Sequence, residues 1–452
     1  MLRLARSHPD NPPSSAAAVA RRLLRPETRR SALAMADQGV ASLGNFATNI
    51  LLARALTRED YGTFGLILEG VLFFNAIQAA LVTYPLSVKG ATVNAQRLGR
   101  FTTASLALTG AFGAIGGHFY LALCASAALV LWQTQETLRR AMISHLRYSQ
   151  AVVGDAISYL GQGAVVALLW WRGGLTLERV FLIVALTSAA GALVQIIQVK
   201  PRPVPLRRLA QHAIEFLTYG RWQALNNTTI IVTAMGYSWA LAYFHGASAV
   251  AELYAIGIIL KLTNPLISGI GGLIVAAAAK VHSSRGAREA WRVASRYAWI
   301  GAAVLAPYFV MLMLFPTWSI RFVHGAHSIY ADRANVLRLL VAAAAITYAA
   351  STLSAYLSAV HESNRTLRAQ MLNVLVSLVV GIPLMIFGGL IAGVVGLVLA
   401  CAAQLAMLIR FLSEVRAERP APQPPLPLHL HDLVAARVQD RHSPWPALRR
   451  AA

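Results

Sequence analysis

The chain is a series of long apolar stretches separated by short polar loops. Hydrophobic residues make up 57% of its 452 residues and charged residues only 13%, which is more apolar surface than one soluble core encloses. About 20 apolar residues at 1.5 Å per residue cover the roughly 30 Å hydrocarbon core of a bilayer. The sequence therefore predicts an all-α polytopic membrane protein with about twelve spans. We place them at 33–53, 62–88, 101–118, 119–138, 149–171, 178–199, 219–244, 250–279, 294–316, 334–360, 369–387 and 391–411.

The Lys and Arg residues of the loops predict the orientation, because cytoplasmic loops carry an excess of them. With the N-terminus inside, the inner loops contain seventeen and the outer loops only seven. The outer seven are Arg54, Arg58, Arg172, Arg179, Arg321, Arg333 and Arg338. We therefore expect both termini in the cytoplasm. Two cations, Arg221 and Lys261, belong to no loop or tail.

The net charge of +22 follows from this orientation and from anionic head groups, so nucleic acid is not an expected partner. Cys124 and Cys401 both lie in predicted spans, and we read them as packing residues. No cofactor and no metal site is expected.

Composition divides the chain into two similar halves. We predict a disordered basic tail at 1–30, a six-helix bundle at 31–199, a cytoplasmic linker at 200–218, a second six-helix bundle at 219–413, and a Pro-rich disordered tail at 414–452. The halves carry a weak repeat. Residues 59–62 match residues 252–255, and Arg147 and Asp155 match Arg365 and Asn373.

Two segments near the start of the membrane region carry a family resemblance. The first helix combines small and polar residues, including Ala36–Gly39 and Asn45, and its outer turn from Leu52 to Gly62 reads LARALTREDYG. This opening resembles that of the Wzx-type polysaccharide flippases. The span count and the two-half layout are also similar to that family.

The resemblance implies two six-helix bundles that form a V around a central cavity, as in the superfamily shared with MATE exporters. It implies no enzymatic activity but alternating-access transport of a polyprenyl-diphosphate-linked oligosaccharide across a bacterial inner membrane, for surface polysaccharide synthesis. It also implies a polysaccharide polymerase as a protein partner. The family's cavity typically has several cationic residues, whereas this chain has few within its spans.

Lys261 is the clearest candidate for substrate binding, because a charge inside a span costs about 2.5 to 3.5 kcal/mol on insertion scales. Pro265 lacks an amide hydrogen, so we expect the helix to bend there. The face that Lys261 shares with Pro265, Ser268 and Gly272 would present the ammonium to a diphosphate. Glu69 lies at a similar depth in the other half, and we predict that it faces Lys261. Their pairing is either structural or part of a charge switch for a coupling H+ or Na+.

Four further residues complete the predicted substrate site, and one completes the coupling site. Asn45 and Asn49 in the first span and Asn226 in the seventh bind sugar hydroxyls or join helices. Arg221 at the cytoplasmic mouth meets the diphosphate or extends to the membrane surface. Asp37 couples an ion, caps its helix or pairs with an arginine.

Two other functions remain open on the sequence alone. A MATE-like exporter of small cations would have more acids than bases in its cavity. A membrane-embedded glycan polymerase or ligase would usually carry a long outer loop with several Arg and His residues, whereas the longest outer loop here is about 17 residues.

Overall fold

The computed structural model describes residues 26–83, 86, 120–145, 147–201, 214, 228 and 231–417. These residues form helices and no strand. In chain order the helices are α1 Pro26–Ala55, α2 Arg58–Gln78, α3 Tyr120–Ser144, α4 Tyr148–Trp171, α5 Leu177–Val199, α6 231–245, α7 Ala247–Lys261, α8 Asn264–Leu314, α9 Pro316–His324, α10 Ala334–Ala359, α11 Ser363–Val376 and α12 Ile382–Ala417. The predicted span 101–118 and most of 219–230 lie outside the described residues.

Six helical segments in the described part are long and apolar enough to cross a membrane. Two of them, Asn264–Leu314 and Ser363–Val415, are more than twice as long as one crossing requires. Gly286 interrupts the first with φ 81° and Gly389 interrupts the second with φ 67°, a left-handed conformation that glycine adopts without a steric penalty. Each segment therefore supplies two crossings, and Gly389 lies between the predicted spans 369–387 and 391–411. The chain is an all-helical, multi-pass membrane protein.

The predicted eighth span, 250–279, is not one continuous helix. The chain breaks after Lys261, where α7 ends, and α8 begins at Asn264 with Pro265 in its first turn. Proline fits the first turn because its missing amide hydrogen has no intrahelical partner there. The expected bend is thus a break between two helices.

The described helices pack against one another both within and between the two predicted halves. In the first half α3 packs along α5 and α1 along α4, and in the second half α10 packs against both α8 and α12. The halves contact each other through α2 and α7. This contact is close because Gly62 presents its bare backbone to the Ala247 carbonyl.

Candidate functional site

A cavity of about 800 Å³ lies between the two halves. We call it the central cavity. It is bordered by α1 to α5 on one side and by α7 and the start of α8 on the other. Its polar lining groups are Gln38, Ser42, Asn45, Thr48, Asn49, Ser158, Gln162, Ser188, Asn264 and Ser268, and its aromatic lining groups are Phe46, Phe64, Trp132, Tyr159 and Phe181. No carboxylate occurs among these described lining residues, and Lys261 is their single cation.

Lys261 reaches the central cavity because α7 ends at this residue. Its ammonium lies 5.0 Å from the centroid of the Tyr254 ring, which is two helical turns earlier on α7. This distance is within the range of a cation–π contact. Pro265 and Ser268 line the same cavity, so three members of the predicted face are brought together. The break after α7 positions the ammonium beside a helix end.

Asn45 and Asn49 also line the central cavity. The Asn49 amide nitrogen donates to the Asn45 carbonyl one turn earlier, at 2.9 Å. Both amides are carried on the same face of α1 as Gln38 and Ser42. The structure therefore places two of the predicted sugar-binding residues with Lys261.

A second, smaller cavity of about 330 Å³ contains Glu69, and we call it the Glu69 cavity. Lys261 lines it as well, so the predicted pair from opposite halves does share one space. The Ser238 hydroxyl of α6 donates to Glu69 Oε1 at 2.6 Å, and the Tyr254 hydroxyl also interacts with this carboxylate. Glu69 is thus held by neutral hydroxyl groups with Lys261 close by.

Asp37 lies away from the central cavity, in what we call the charge cluster: Asp37, Glu136, Arg139 and Asp155. Arg139 contacts Asp37 at 2.5 Å, Asp155 at 2.6 Å and Glu136 at 3.2 Å. Arg139 is therefore the arginine partner expected for Asp37, and it pairs with Asp155 as well. Arg140 adds a second cation to Glu136 at 2.6 Å.

The position of Arg139 corrects the loop count. We counted Arg139 as a loop cation, but it lies within α3 and its side chain is only 8% exposed. Three carboxylates surround it, which explains how a guanidinium is accommodated there. The two remaining predicted substrate residues, Arg221 and Asn226, lie outside the described residues.

The halves are joined at the end of the molecule that carries the loops predicted to be outside. Glu252 on α7 is buried and contacts Arg333 at 2.8 Å and Arg58 at 3.6 Å. Arg54 at the end of α1 donates to the Val323 carbonyl of α9. We call the set Arg58, Glu252 and Arg333 the outer closure.

His324 strengthens the same end by donating from Nε2 to the Ala255 carbonyl at 2.8 Å. Burial lowers the pKa of the His324 imidazole, and nearby Arg54 lowers it further, although the hydrogen bond to Ala255 opposes this. The ring is therefore a neutral donor near pH 7. The central cavity extends along α1 as far as Gln38, in the direction of the helix end that we predict to be cytoplasmic.

Several lining residues were missed from the sequence. Trp132 and Tyr159 line the central cavity and are joined by a hydrogen bond from the indole nitrogen to the phenol oxygen at 3.1 Å. Gln162 is one helical turn further along α4. Aromatic and amide residues are common in apolar helices, so only the three-dimensional rotation of each helix distinguishes them.

The fold is similar to that of solved MATE transporters of the MOP superfamily. An inward-facing multidrug resistance MATE family transporter aligns with a TM-score of 0.65 at 13% identity, covering 85% of this chain and 99% of that chain. An outward-facing one aligns with a TM-score of 0.58 at 14% identity, covering 86% and 96%. A MOP superfamily transporter from Pyrococcus furiosus, described as having a binding pocket of reverse polarity, gives 0.56 at 13%, covering 86% and 96%. No family model and no curated protein sequence matches the chain. The described residues therefore adopt the MATE-type fold.

Proposed function

We propose that this protein moves a polyprenyl-diphosphate-linked oligosaccharide across a bacterial inner membrane by alternating access. The observation that carries the proposal is the polarity of the central cavity. Its described lining combines one ammonium with amides, hydroxyls and aromatic rings, and it contains no carboxylate. This chemistry suits a large neutral glycan with an anionic diphosphate at one end.

Five of the lining residues have a role in binding this substrate. The Lys261 ammonium attracts the diphosphate, as lysine does in many phosphate sites. Asn45 and Asn49 exchange hydrogen bonds with sugar hydroxyls, while Trp132 and Tyr159 offer apolar faces that end in a polar group. Arg221 at the predicted cytoplasmic mouth and Asn226 in the second half extend the site.

Transport requires the cavity to open on the other side of the membrane. The outer closure must then release Glu252 from Arg58 and Arg333, so that α2 and α7 separate. Glu69 and Asp37 are the proposed coupling residues, because protonation or cation binding at either changes the charge balance next to a cation, Lys261 or Arg139. A surface polysaccharide polymerase would receive the exported unit.

A MATE-like exporter of small cations is the second candidate, because the fold is the MATE type. The solved neighbours include multidrug resistance transporters, and the Pyrococcus furiosus protein shows that this fold accepts a pocket of reversed polarity. A cationic substrate would need acids in the central cavity, whereas the described lining offers an ammonium. The anionic, lipid-linked substrate therefore fits better. A glycan polymerase or ligase finds no support in this geometry.

The proposal is tested with purified protein in proteoliposomes that contain a polyprenyl-diphosphate-linked oligosaccharide with a fluorescent label on the glycan. We expect Lys261→Ala to lower the rate of label transfer between leaflets by about a hundredfold, since one charge-assisted contact to phosphate accounts for about 1.5–3 kcal/mol. Lys261→Arg keeps the charge and should recover most of the rate.

Lys280→Ala is the matched control, because Lys280 is exposed on α8 outside the central cavity. It should transport at the parental rate. Parental transport by Lys261→Ala would remove the ammonium from the mechanism. If the parental protein leaves the glycan in place but expels a lipophilic cation from the same vesicles, the exporter is correct and the flippase is not.

A further inference from the structure

The second bundle contains a separate cavity of about 730 Å³ that the proposed substrate path does not use. We call it the polar passage. Ser351, Ser354 and Ser358 line it from α10, and Ser363, Gln370 and Asn373 line it from α11. None of its described lining residues is charged.

The passage runs from the turn between α10 and α11 along these two helices. Ser358 and Ser363 flank the turn between α10 and α11, next to a loop that we predict to be cytoplasmic. Asn373 is ten residues further along α11, or about 15 Å at 1.5 Å per residue. Gln370 and Asn373 line both the passage and the Glu69 cavity. The two cavities therefore adjoin each other, and the side chains of Gln370 and Asn373 border both.

The size and lining of the passage fit water. A volume of about 730 Å³ has room for about 20 water molecules at roughly 30 Å³ each. The Thr366 hydroxyl on its wall is buried and has no hydrogen-bond partner among the described residues, and water at this point would supply one. Hydroxyl and amide groups along such a water file accept and donate hydrogen bonds without binding an ion tightly.

The Glu69 cavity lies at the inner end of the polar passage. Glu69 faces Ser238 and Tyr237 of α6 and Tyr254 and Lys261 of α7. It is the single carboxylate among the described residues that line either cavity. A bound metal cation needs several oxygen ligands around it, normally with carboxylates among them, and Glu69 alone would supply a charged one in these two cavities. A proton needs only water, hydroxyl groups and that one carboxylate.

We propose that the polar passage carries protons between the cytoplasmic side and Glu69, which makes H+ rather than Na+ the coupling ion. This inference rests on the proposed function only in giving Glu69 a coupling role. The proton transfers reversibly between water in the passage and the Glu69 carboxylate, with no other bond made or broken.

The chain contains its own reporter of water in the passage. Cys124 and Cys401 are equally buried, at 5% and 7% exposure, but Cys401 lines the passage and Cys124 lies in the apolar core. A cationic methanethiosulfonate ethylammonium reagent added to inside-out vesicles reacts with thiols that water reaches. We expect labelling of Cys401 in the Cys124→Ala variant to be at least about tenfold faster than labelling of Cys124 in the Cys401→Ala variant.

Blocking the passage supplies the second measurement. Gln370→Leu should slow the labelling of Cys401 and also abolish the acceleration of transport by a pH gradient in Na+-free proteoliposomes. Ser413→Leu, at an exposed position of α12, should change neither. Equal labelling rates for the two cysteines, or transport that requires Na+ and ignores the pH gradient, would overturn the proposal. The labelling needs no substrate, so fast labelling of Cys401 in a protein that moves no glycan would refute the proposed function and leave the passage standing.

Discussion

The two bundles place different chemistry at equivalent positions. Asp155 in the first bundle is fully buried, pairs with Arg139 at 2.6 Å and receives amide hydrogen bonds from Gln135 and Gln195 at 3.3 Å. Its sequence counterpart, Asn373, borders two cavities in the second bundle. One bundle fills the space with charge, and the other leaves it open for water.

The framework around these positions is nonetheless shared. Arg147 donates to the Gln198 carbonyl of α5 at 2.8 Å, and its counterpart Arg365 contacts Glu414 of α12 at 3.3 Å. Arg147 thus joins the start of α4 to the end of α5, and Arg365 joins the start of α11 to the end of α12. A π-helical turn follows in both cases, at Ala156–Leu160 and at Ser377–Gly381. The backbone repeat is kept while the polar groups on it have diverged.

The difference implies that the first bundle is the more rigid body. Within the charge cluster three carboxylates meet Arg139, and removing this arginine leaves buried carboxylates without their cation. The second bundle has hydroxyls that face a cavity and tolerate rearrangement. Removing polar groups from the two bundles should therefore have unequal effects on the free energy of unfolding.

The largest effect is expected from Arg139→Gln. It leaves Asp37 and Asp155 buried without their cation, and breaking such a pair costs about 3–5 kcal/mol. The measurement is the free energy of unfolding of detergent-solubilised protein, followed by tryptophan fluorescence. Arg365→Gln is the matched control in the second bundle, because the partners of Arg365 are 35% and 41% exposed, so its loss should stay near or below about 1 kcal/mol. Equal losses for the two variants would contradict the comparison.

The sequence predicted the helices better than it predicted the contacts between them. Hydropathy identified most of the described membrane helices because each needs only a local run of apolar residues, and Pro265 marked the break after α7. The sequence could not show whether Asp155 pairs with Arg139 or with Arg147, since both arginines lie close to it along the chain. The choice depends on how α3 rotates against α4, which no local pattern records.

The candidate site divides in the same way. Lys261 and Glu69 were found because a charge in a span is costly wherever it faces. Trp132, Gln162 and the serines of the polar passage were not found, because hydroxyl, amide and aromatic groups also serve ordinary helix packing. Only the assembled helices show that these groups face a cavity.

An intermediate effect is expected from Asp155→Asn, which gives the first bundle the residue that the second bundle has. Arg139 keeps Asp37 and Glu136, and the new amide oxygen still accepts from Gln135 and Gln195. We expect a loss of about 1.5–3 kcal/mol in the free energy of unfolding, the usual range for one hydrogen bond to a charged group. A loss as large as that of Arg139→Gln would show that the excess acid is itself essential to the cluster.

The smallest effect is expected from Ser351→Ala in the polar passage. Its hydroxyl donates to the Tyr348 carbonyl of its own helix at 2.8 Å and otherwise faces the cavity, so the loss should stay within about 0.5 kcal/mol. Ser188→Ala is the comparison variant in the first bundle, where Ser188 is 1% exposed and shares a hydrogen bond with Ser158 at 3.4 Å. Removing the Ser188 hydroxyl leaves Ser158 without this partner, at a cost of about 1 kcal/mol. Measured together by the same unfolding assay, the two variants compare a hydroxyl bonded within its own helix with a buried hydroxyl bonded to a neighbouring helix. If Ser351→Ala costs more than Ser188→Ala, the second bundle is packed as tightly as the first, and the contrast between them fails.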